Sequence, residues 1–531
     1  MLALGLAALF SAFSVHSHIP SAGRASTGHR QSGLAPPGLE KTGRPVREMI
    51  IKFAHPRPAR LSGTARGLFS ALEPLFRVRP GSEKEFRELG LDRIFKVKIP
   101  VGSDPERFKR DLMRTGLLQY AEANTLLPVE AVPNDSLYPQ LWHLARIHAP
   151  EAWEEARGDS SVVIAIIDTG VDWTHPDLSA SIWRNSREVE NGVDDDGNGF
   201  IDDVRGWDFV ESVSDHAPGE DGGQQDNDPM DFDGHGTFVA GIAASTTDNG
   251  IGVASVPWGC RIMPLRAGYR GSDFQGYIVL DAAIRAFVYA ADNGADIINF
   301  STTSSEALVD AARYAFLRDV VIVKSAGNSN SDTPDPLEQR PFVVTVAATD
   351  STDRKASYSD FGAWVTLSAP GGDRTGGGAI ISTAPGGSYG AESGTSYAAA
   401  VVSGLAGLVK SFRPGSSASD VIFQLAETCE SIDLQNTQYH NQLGRGRIHA
   451  FRALSEWVQP RPDLSLLSLR IDDRERGNGN GLIEPAEGIS LCVRLCNRWG
   501  DAMNLRARLI IDHPAVTLEK SDAHYSFIPG I

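Results

Sequence analysis

Several features that mark common protein classes are scarce in this chain of 531 residues. Lys and Arg number 50 against 67 Asp and Glu, giving a formal net charge of -17. The basic face that nucleic-acid binding requires is missing, so no nucleic-acid partner is expected. Cysteine occurs four times, at 260, 429, 492 and 496, with no C-x-x-C spacing to suggest zinc. If Cys492 and Cys496 share a strand, they stand roughly 13 Å apart, too far for a disulfide. The N-terminal apolar run Leu2–Phe13 falls short of the ~20 residues that cross a bilayer, so no stable membrane insertion is expected. Its length suits the apolar core of a secretory signal peptide over residues 1–22, although no Lys or Arg precedes it. Secretion to the extracellular space is the matching expectation.

What remains is a chain that is 41% hydrophobic and too long for one typical domain. Residues 23–45 are rich in Gly, Ser, Pro and Arg and read as linker. Residues 46–130 alternate strand-like and helical stretches (EMIIKF, EKEFRELGL, DRIFKVKIPV, DPERFKRDLMRTG, LLQYAEAN), which predicts a small α+β unit with an excess of about five basic residues. Residues 135–458 repeat apolar strands and amphipathic helices, including a helix over DFQGYIVLDAAIRAFVYAADNG; the fold class expected is α/β, a parallel sheet with helices on both faces. Pro460 and Pro462 mark a second linker. Over 463–531 the segments DLSLLSLRIDD, GISLCVRLCNR and LRARLIIDHP alternate apolar and polar residues, as in a partial β-sandwich.

Three distant segments of the 135–458 region carry chemistry. They are VVIAIIDTGVDWTHPDL around Asp168, DGHGTFVAGIAAS around His235 and SGTSYAAAVVSG around Ser396. A hydroxyl becomes nucleophilic at neutral pH only with a base in hydrogen-bond reach and a buried carboxylate to orient that base. These segments supply one of each. The apolar run Val162–Ile167 reads as a strand buried on both faces, which puts Asp168 at its carboxyl end. His235 and Ser396 each open a helical stretch of small residues, so a helix N-terminus faces the reacting centre.

The order Asp, His, Ser, with Gly-Thr after the His and before the Ser, resembles the subtilisin-like serine peptidases, the subtilases. The resemblance runs from about Asp135 to Leu454. It implies a subtilisin-like α/β domain in which Asp168 orients, His235 is the base and Ser396 the nucleophile. SAGN at 325–328 resembles the family's oxyanion segment and makes Asn328 the side-chain donor. It also makes the 46–130 unit an inhibitory propeptide, cut off within 127–134, so the partners implied are polypeptide substrates and the chain's own propeptide. The competing class is a noncatalytic subtilase scaffold used for binding or surface display. Ala400 and Phe238 depart from the family's Pro and His at those positions. Substrate-binding candidates are Ser301, Thr302, Thr303, Ser325 and Gly327, with Thr303 standing where relatives have Gly. Asp335 or Glu338 would favour a basic residue at the cleavage position.

The segment NGVDDDGNGFIDDVRGWDF, between the Asp and His motifs, carries alternate oxygen ligands around a sharp Gly turn, which can wrap a hard cation. Asp194, Asp196, Asn198, Phe200 through its carbonyl, and Asp202 are the expected ligands, and Ca2+ the expected structural cofactor. Arg205 occupies the position of the usual bidentate Glu. DNDPMDFDG, just before His235, is a weaker acidic candidate. In the C-terminal region Asn478, Asn480, Glu484 and Glu487 line a similar polar loop.

Overall fold

At the centre of the computed structural model, Val163–Asp168 (β1) is buried at every position. Both faces must therefore be covered, which explains why its sequence is a continuous apolar run without alternation. Six further strands join it: Trp207–Asp208 (β2), Arg261–Arg266 (β3), Ile297–Phe300 (β4), Val321–Ser325 (β5), Val343–Thr349 (β6) and Leu367–Pro370 (β7). Their order is β7-β6-β5-β4-β1-β3-β2 and every pairing is parallel. The chain leaves β1 toward β3 and returns on its other side at β4, so the strand order reverses beside Asp168, where open α/β sheets form their clefts.

Helices His235–Ala244 (α1) and Thr395–Phe412 (α4) pack on each other and on the sheet, while Leu280–Asp292 (α2) and Glu306–Phe316 (α3) pair against it separately. α4 is buried continuously from Thr395 to Lys410, as a core helix must be. Its contact with α1 is close: a Cβ at Gly404 would stand 2.8 Å from the Ala243 carbonyl oxygen. That approach brings the starts of the two helices toward the same end of β1. The fold is the expected α/β class, a parallel sheet clad on both faces.

One element differs from expectation. The helix predicted from Asp273 begins only at Leu280, because Gly276–Ile278 pairs antiparallel with Gly268–Arg270 as a hairpin. Tyr269 and Tyr277, partners across it, hold their rings 6.0 Å apart. The apolar run GYIVL is thus divided between a strand and a helix start.

The structure describes residues 13–16, 48–56, 68–69, 72–77, 81–100, 103–124, 132–376, 378–460, 464–482, 484–497, 502–510, 516–517 and 519–528. The expected linker 23–45 and the expected signal peptide 1–22, apart from Phe13–His16, lie outside them. The described residues between 48 and 124 form a compact unit of their own. Its antiparallel sheet orders Leu72–Pro74, Ile94–Lys98, Glu48–Phe53 and Leu118–Ala123, joined by helices Glu83–Glu88 and Pro105–Arg114. Asp104 caps the second helix by accepting from Arg107 N at 2.6 Å. Met49, Ile51, Phe53, Phe95, Val97, Phe108 and Leu112 form the core of this unit.

In the C-terminal region Leu464–Arg476 pairs antiparallel with Gly488–Asn497, and Ala502–Leu509 with Asp522–Ile528 and with Phe13–His16. Cys260 and Cys429 are separate buried thiols, each pushed up to about 12 by burial. Among the described residues no helix is long and apolar enough to cross a membrane.

Candidate active site

Asp168 ends β1 with its side chain buried, and its Oδ1 accepts from His235 Nδ1 at 2.7 Å and from Thr169 N at 2.8 Å. The two segments are pressed together: a Cβ at Gly236 would lie 2.0 Å from the Gly170 carbonyl oxygen and 3.0 Å from Asp168 Cβ. Only glycine permits that approach. Burial works against charge on the His235 ring, but Asp168, with Asp233 and Asp231 behind it, outweighs burial and pushes the imidazole up to about 9. The ring keeps 30% of its side-chain surface exposed. It lies 5.9 Å from the Tyr397 ring, which in turn packs on Phe238 at 4.6 Å.

Ser396 is the second residue of α4. Its Oγ donates to the Ser301 carbonyl oxygen at 3.4 Å and makes no hydrogen bond to His235. Asn328 follows β5 and turns its amide oxygen to α4, where it accepts from Thr395 N at 2.9 Å and Thr395 Oγ1 at 2.8 Å. With its oxygen so held, Asn328 keeps its amide N–H groups for something else. The structure therefore brings Asp168, His235, Ser396, Asn328 and Ser301 to the carboxyl ends of adjacent strands.

Residues 159–446 match the subtilase family profile, more than half of the chain. Over 354 residues the sequence is 34% identical to a thermophilic serine proteinase of Bacillus sp. strain AK1, covering 66% of this chain and 76% of that one. It is 33% identical to thermitase of Thermoactinomyces vulgaris, covering 61% of this chain and 99% of thermitase. Among solved structures, a protease from Pseudoalteromonas arctica PAMC 21717 matches with a TM-score of 0.51 at 27% identity, over 62% of this chain and 100% of that one. Other relatives are named extracellular proteases. The chain belongs to the subtilase family. This subtilase is a serine-type endopeptidase.

A residue missed by sequence reasoning organises the site. Asp231 lies in the acidic stretch before His235, and it is buried. It accepts from Thr169 Oγ1 at 3.0 Å, Gly234 N at 2.8 Å, Thr237 N at 2.8 Å and Thr237 Oγ1 at 2.6 Å. It thereby ties the turn before α1 to the turn after β1 and fixes where the imidazole stands. Thr169 closes the loop by accepting from Gly236 N at 3.0 Å. The hairpin 268–278 is a second surprise: a Cβ at Gly276 would meet the Asp233 carboxylate at 2.9 Å, so the hairpin walls the His235 side of the subtilase's cleft.

The other wall carries the expected subsite residues. Ser301 Oγ donates to Asn299 Oδ1, and Asn299 Nδ2 to Ser403 Oγ at 2.9 Å. Thr302 is half-buried and Thr303 exposed. Thr303 is not among the residues with positive φ, so replacing the family's Gly strains no backbone here. Ser325 ends β5, and Gly327 N donates to Thr395 Oγ1 at 3.2 Å.

The expectation that Asp335 or Glu338 selects a basic residue is corrected. Lys324, buried in β5, places Nζ 2.9 Å from Asp335 and 2.6 Å from Glu338. Asp335 also accepts from Ser304 N and Oγ, and Glu338 Oε2 accepts from Asp335 N at 2.8 Å. Both carboxylates are already engaged in bracing this wall.

In the insertion, Asp194 accepts from Gly197 N, Asn198 N and Gly199 N, and Asp202 from Asn191 N and Gly192 N. Phe200 N donates to Asn198 Oδ1 at 2.8 Å, while its ring packs 4.9 Å from that of Tyr289 in α2. Asp196 turns inward with Glu188 and Asp203, and the ligand oxygens of these three lie within 4.8 Å of one another.

Proposed function

We propose that this subtilase is a secreted endopeptidase, made as a self-processing zymogen and working through an acyl-enzyme. The observation that carries the catalytic part is the pairing of His235 with Asp168 at 2.7 Å opposite an Asn328 whose amide oxygen is tethered to Thr395. Rotation of Ser396 about χ1 exchanges the Ser301 carbonyl for His235 Nε2. The freed Oγ attacks the scissile carbonyl as His235 takes its proton, and Asp168 holds the resulting imidazolium. Asn328 Nδ2 and the Ser396 backbone N–H receive the oxyanion. As the tetrahedral adduct collapses, His235 returns the proton to the leaving amine. Water then repeats the sequence on the acyl-enzyme, with His235 as base, and frees Ser396.

Substrate backbone would lie between the hairpin 268–278 and Ser301–Thr303, with Ser325 and Gly327 flanking the residue at the cleavage position. The 46–130 unit, opposite in charge to the acidic remainder, fits an inhibitory propeptide released by cleavage within 127–134. Secretion is supported by the extracellular names of several relatives and by the apolar segment at 2–13. Ca2+ is the cofactor this reading includes, and the acidic insertion supports it. Processing provides the test. Wild-type protein should shed its N-terminal segment and hydrolyse peptides, whereas Ser396→Ala should keep the segment and lose turnover; equal processing in both would refute self-cleavage.

A further inference from the structure

Three carboxylates act on the catalytic imidazole, and two of them are fully employed. Asp168 accepts from His235 Nδ1 and Thr169 N, while Asp231 accepts from Thr169, Gly234 and Thr237 and holds the turn. Asp233 is different. Its N–H donates to Asp231 Oδ1 at 3.0 Å, which fixes its backbone, and its Oδ1 accepts from His235 N at 3.3 Å. Among the described residues nothing donates to Oδ2, and the side chain is half-buried.

The charge of Asp233 is equally unmatched. Burial and the neighbouring Asp231 push its carboxyl above the ordinary range. The opposite charge acting on it comes from His235, which is charged only while protonated and must be neutral to take the Ser396 proton. Arg266, at the end of β3, is committed to Asp208 and Glu220, and Arg270 of the hairpin turns its guanidinium over the Phe274 ring at 5.1 Å. Among the described residues no Lys or Arg forms an ion pair with Asp233. Asp335 and Glu338, whose charge Lys324 already meets, present the opposite case.

The carboxylate also stands where a substrate passes. A Cβ at Gly276 would lie 2.9 Å from Asp233 Oδ1 and 3.3 Å from Oδ2; glycine at this exposed point of the hairpin leaves the carboxylate uncovered on that side. Side chains of an extended substrate alternate between two faces. With the cleavage residue turned toward Ser325 and Gly327, the residue before it points the other way, to the wall made by His235, Asp233 and the hairpin.

We propose that Asp233 selects substrates carrying Lys or Arg immediately before the cleavage residue, with the cationic group settling against Oδ2 in the gap left by Gly276. The inference rests on the peptidase reading above, which sets where the substrate lies, and adds to it a substrate class. The acidic stretch ahead of His235 then meets its cation on the substrate.

The test compares three peptide anilides that differ only at the residue before the cleavage residue, as Lys, norleucine or Glu, with purified wild-type protein. kcat/KM should favour Lys over norleucine by roughly tenfold, with Glu below both. Asp233→Asn should reduce the Lys-to-norleucine ratio to within about threefold; a ratio taken within one protein cancels any general loss of activity. Asp273→Asn, at the exposed acid of the hairpin turn, should keep the ratio within about twofold of wild type. In wild type alone, raising salt from about 0.05 M to about 1 M should shrink the ratio by screening the pair, a measurement that needs no variant to fold. No hydrolysis of these peptides or of an unfolded protein would overturn the peptidase reading itself. Hydrolysis without preference for Lys, a preference that Asp233→Asn or salt leaves intact, or one lost in Asp273→Asn instead, would overturn this inference alone.

Discussion

Buried carboxylates recur through this subtilase, and two groups of them differ in one respect. At the active site Asp168 is matched by a group from the chain itself, the His235 imidazole, and by the Thr169 N–H. In the insertion, Glu188, Asp196 and Asp203 converge with one half-exposed guanidinium and a set of neutral amides. A buried charge needs a counter-charge or a full set of hydrogen-bond donors. Where the fold supplies it, the pair can hold and move a proton; in the insertion the fold supplies one guanidinium and neutral amides. Arg266 illustrates the self-sufficient solution without chemistry: it is fully buried against Asp208 and Glu220 and serves only to brace the edge of the sheet.

The largest expected effect comes from taking apart the self-sufficient site. Ser396→Ala should lower kcat by about 10⁶, a magnitude measured in the subtilisin system itself. Removing the amide donor by Asn328→Ala should lower kcat on the order of 10² to 10³ while KM changes little, again by analogy with measurements on that family. Steady-state kinetics on a peptide anilide measures both.

A pH profile sharpens the comparison from the charge side. Because the Asp168 carboxylate and its acidic neighbours hold His235 at about 9, the neutral imidazole that can accept a proton appears only as pH rises through that value. The ascending limb of kcat/KM should therefore lie above the ordinary imidazole range, and Asp168→Asn should move it down. The same shift makes the protonated pair stabilising below the unfolded imidazole pKa of about 6.5, an advantage lost as pH climbs through about 9. A limb that stays near 6.5 in both proteins would contradict this.

Lys324 gives a structural counterpart. Lys324→Met would leave Asp335 and Glu338 buried without their cation and should cost roughly 3 to 5 kcal/mol, read as a lowered midpoint in denaturant unfolding. The smallest effect is expected at Thr303→Gly. Thr303 is exposed and lacks positive φ, so stability should change by under about 1 kcal/mol and any effect should be confined to KM.

The difference between the two regions also explains what could be read in the sequence. Asp168, His235 and Ser396 were legible because each lies in a stretch whose small residues and apolar run dictate a strand end or helix start. The closeness of those starts needs Gly236 and Gly404, which those stretches display. Asp231 was not legible, since an acidic residue in a polar stretch looks solvated until the turn folds around it. The hairpin 268–278 was hidden because GYIVL suits a helix as well as a strand, and only the cross-strand pairing of Tyr269 with Tyr277 decides between them. Lys324 is a lone charge in the apolar strand VVIVKS, and it was passed over because its partners lie 11 and 14 residues further on in a loop. In the insertion the pattern of alternating carboxylates indicated a cation and pointed to Asp194 and Asp202. The chain folds those two onto backbone N–H groups, while Asp196 of the same loop converges with Glu188 and Asp203 from its flanks.

The central claim is that Ser396 is a nucleophile activated by His235. Reaction of the mature protein with a fluorophosphonate, followed by peptide mapping, tests it directly. The account predicts one covalent adduct on the Ser396 Oγ, absent from Ser396→Ala and strongly slowed in His235→Ala. An unlabelled Ser396 in correctly folded wild-type protein, or equal labelling without His235, would contradict it.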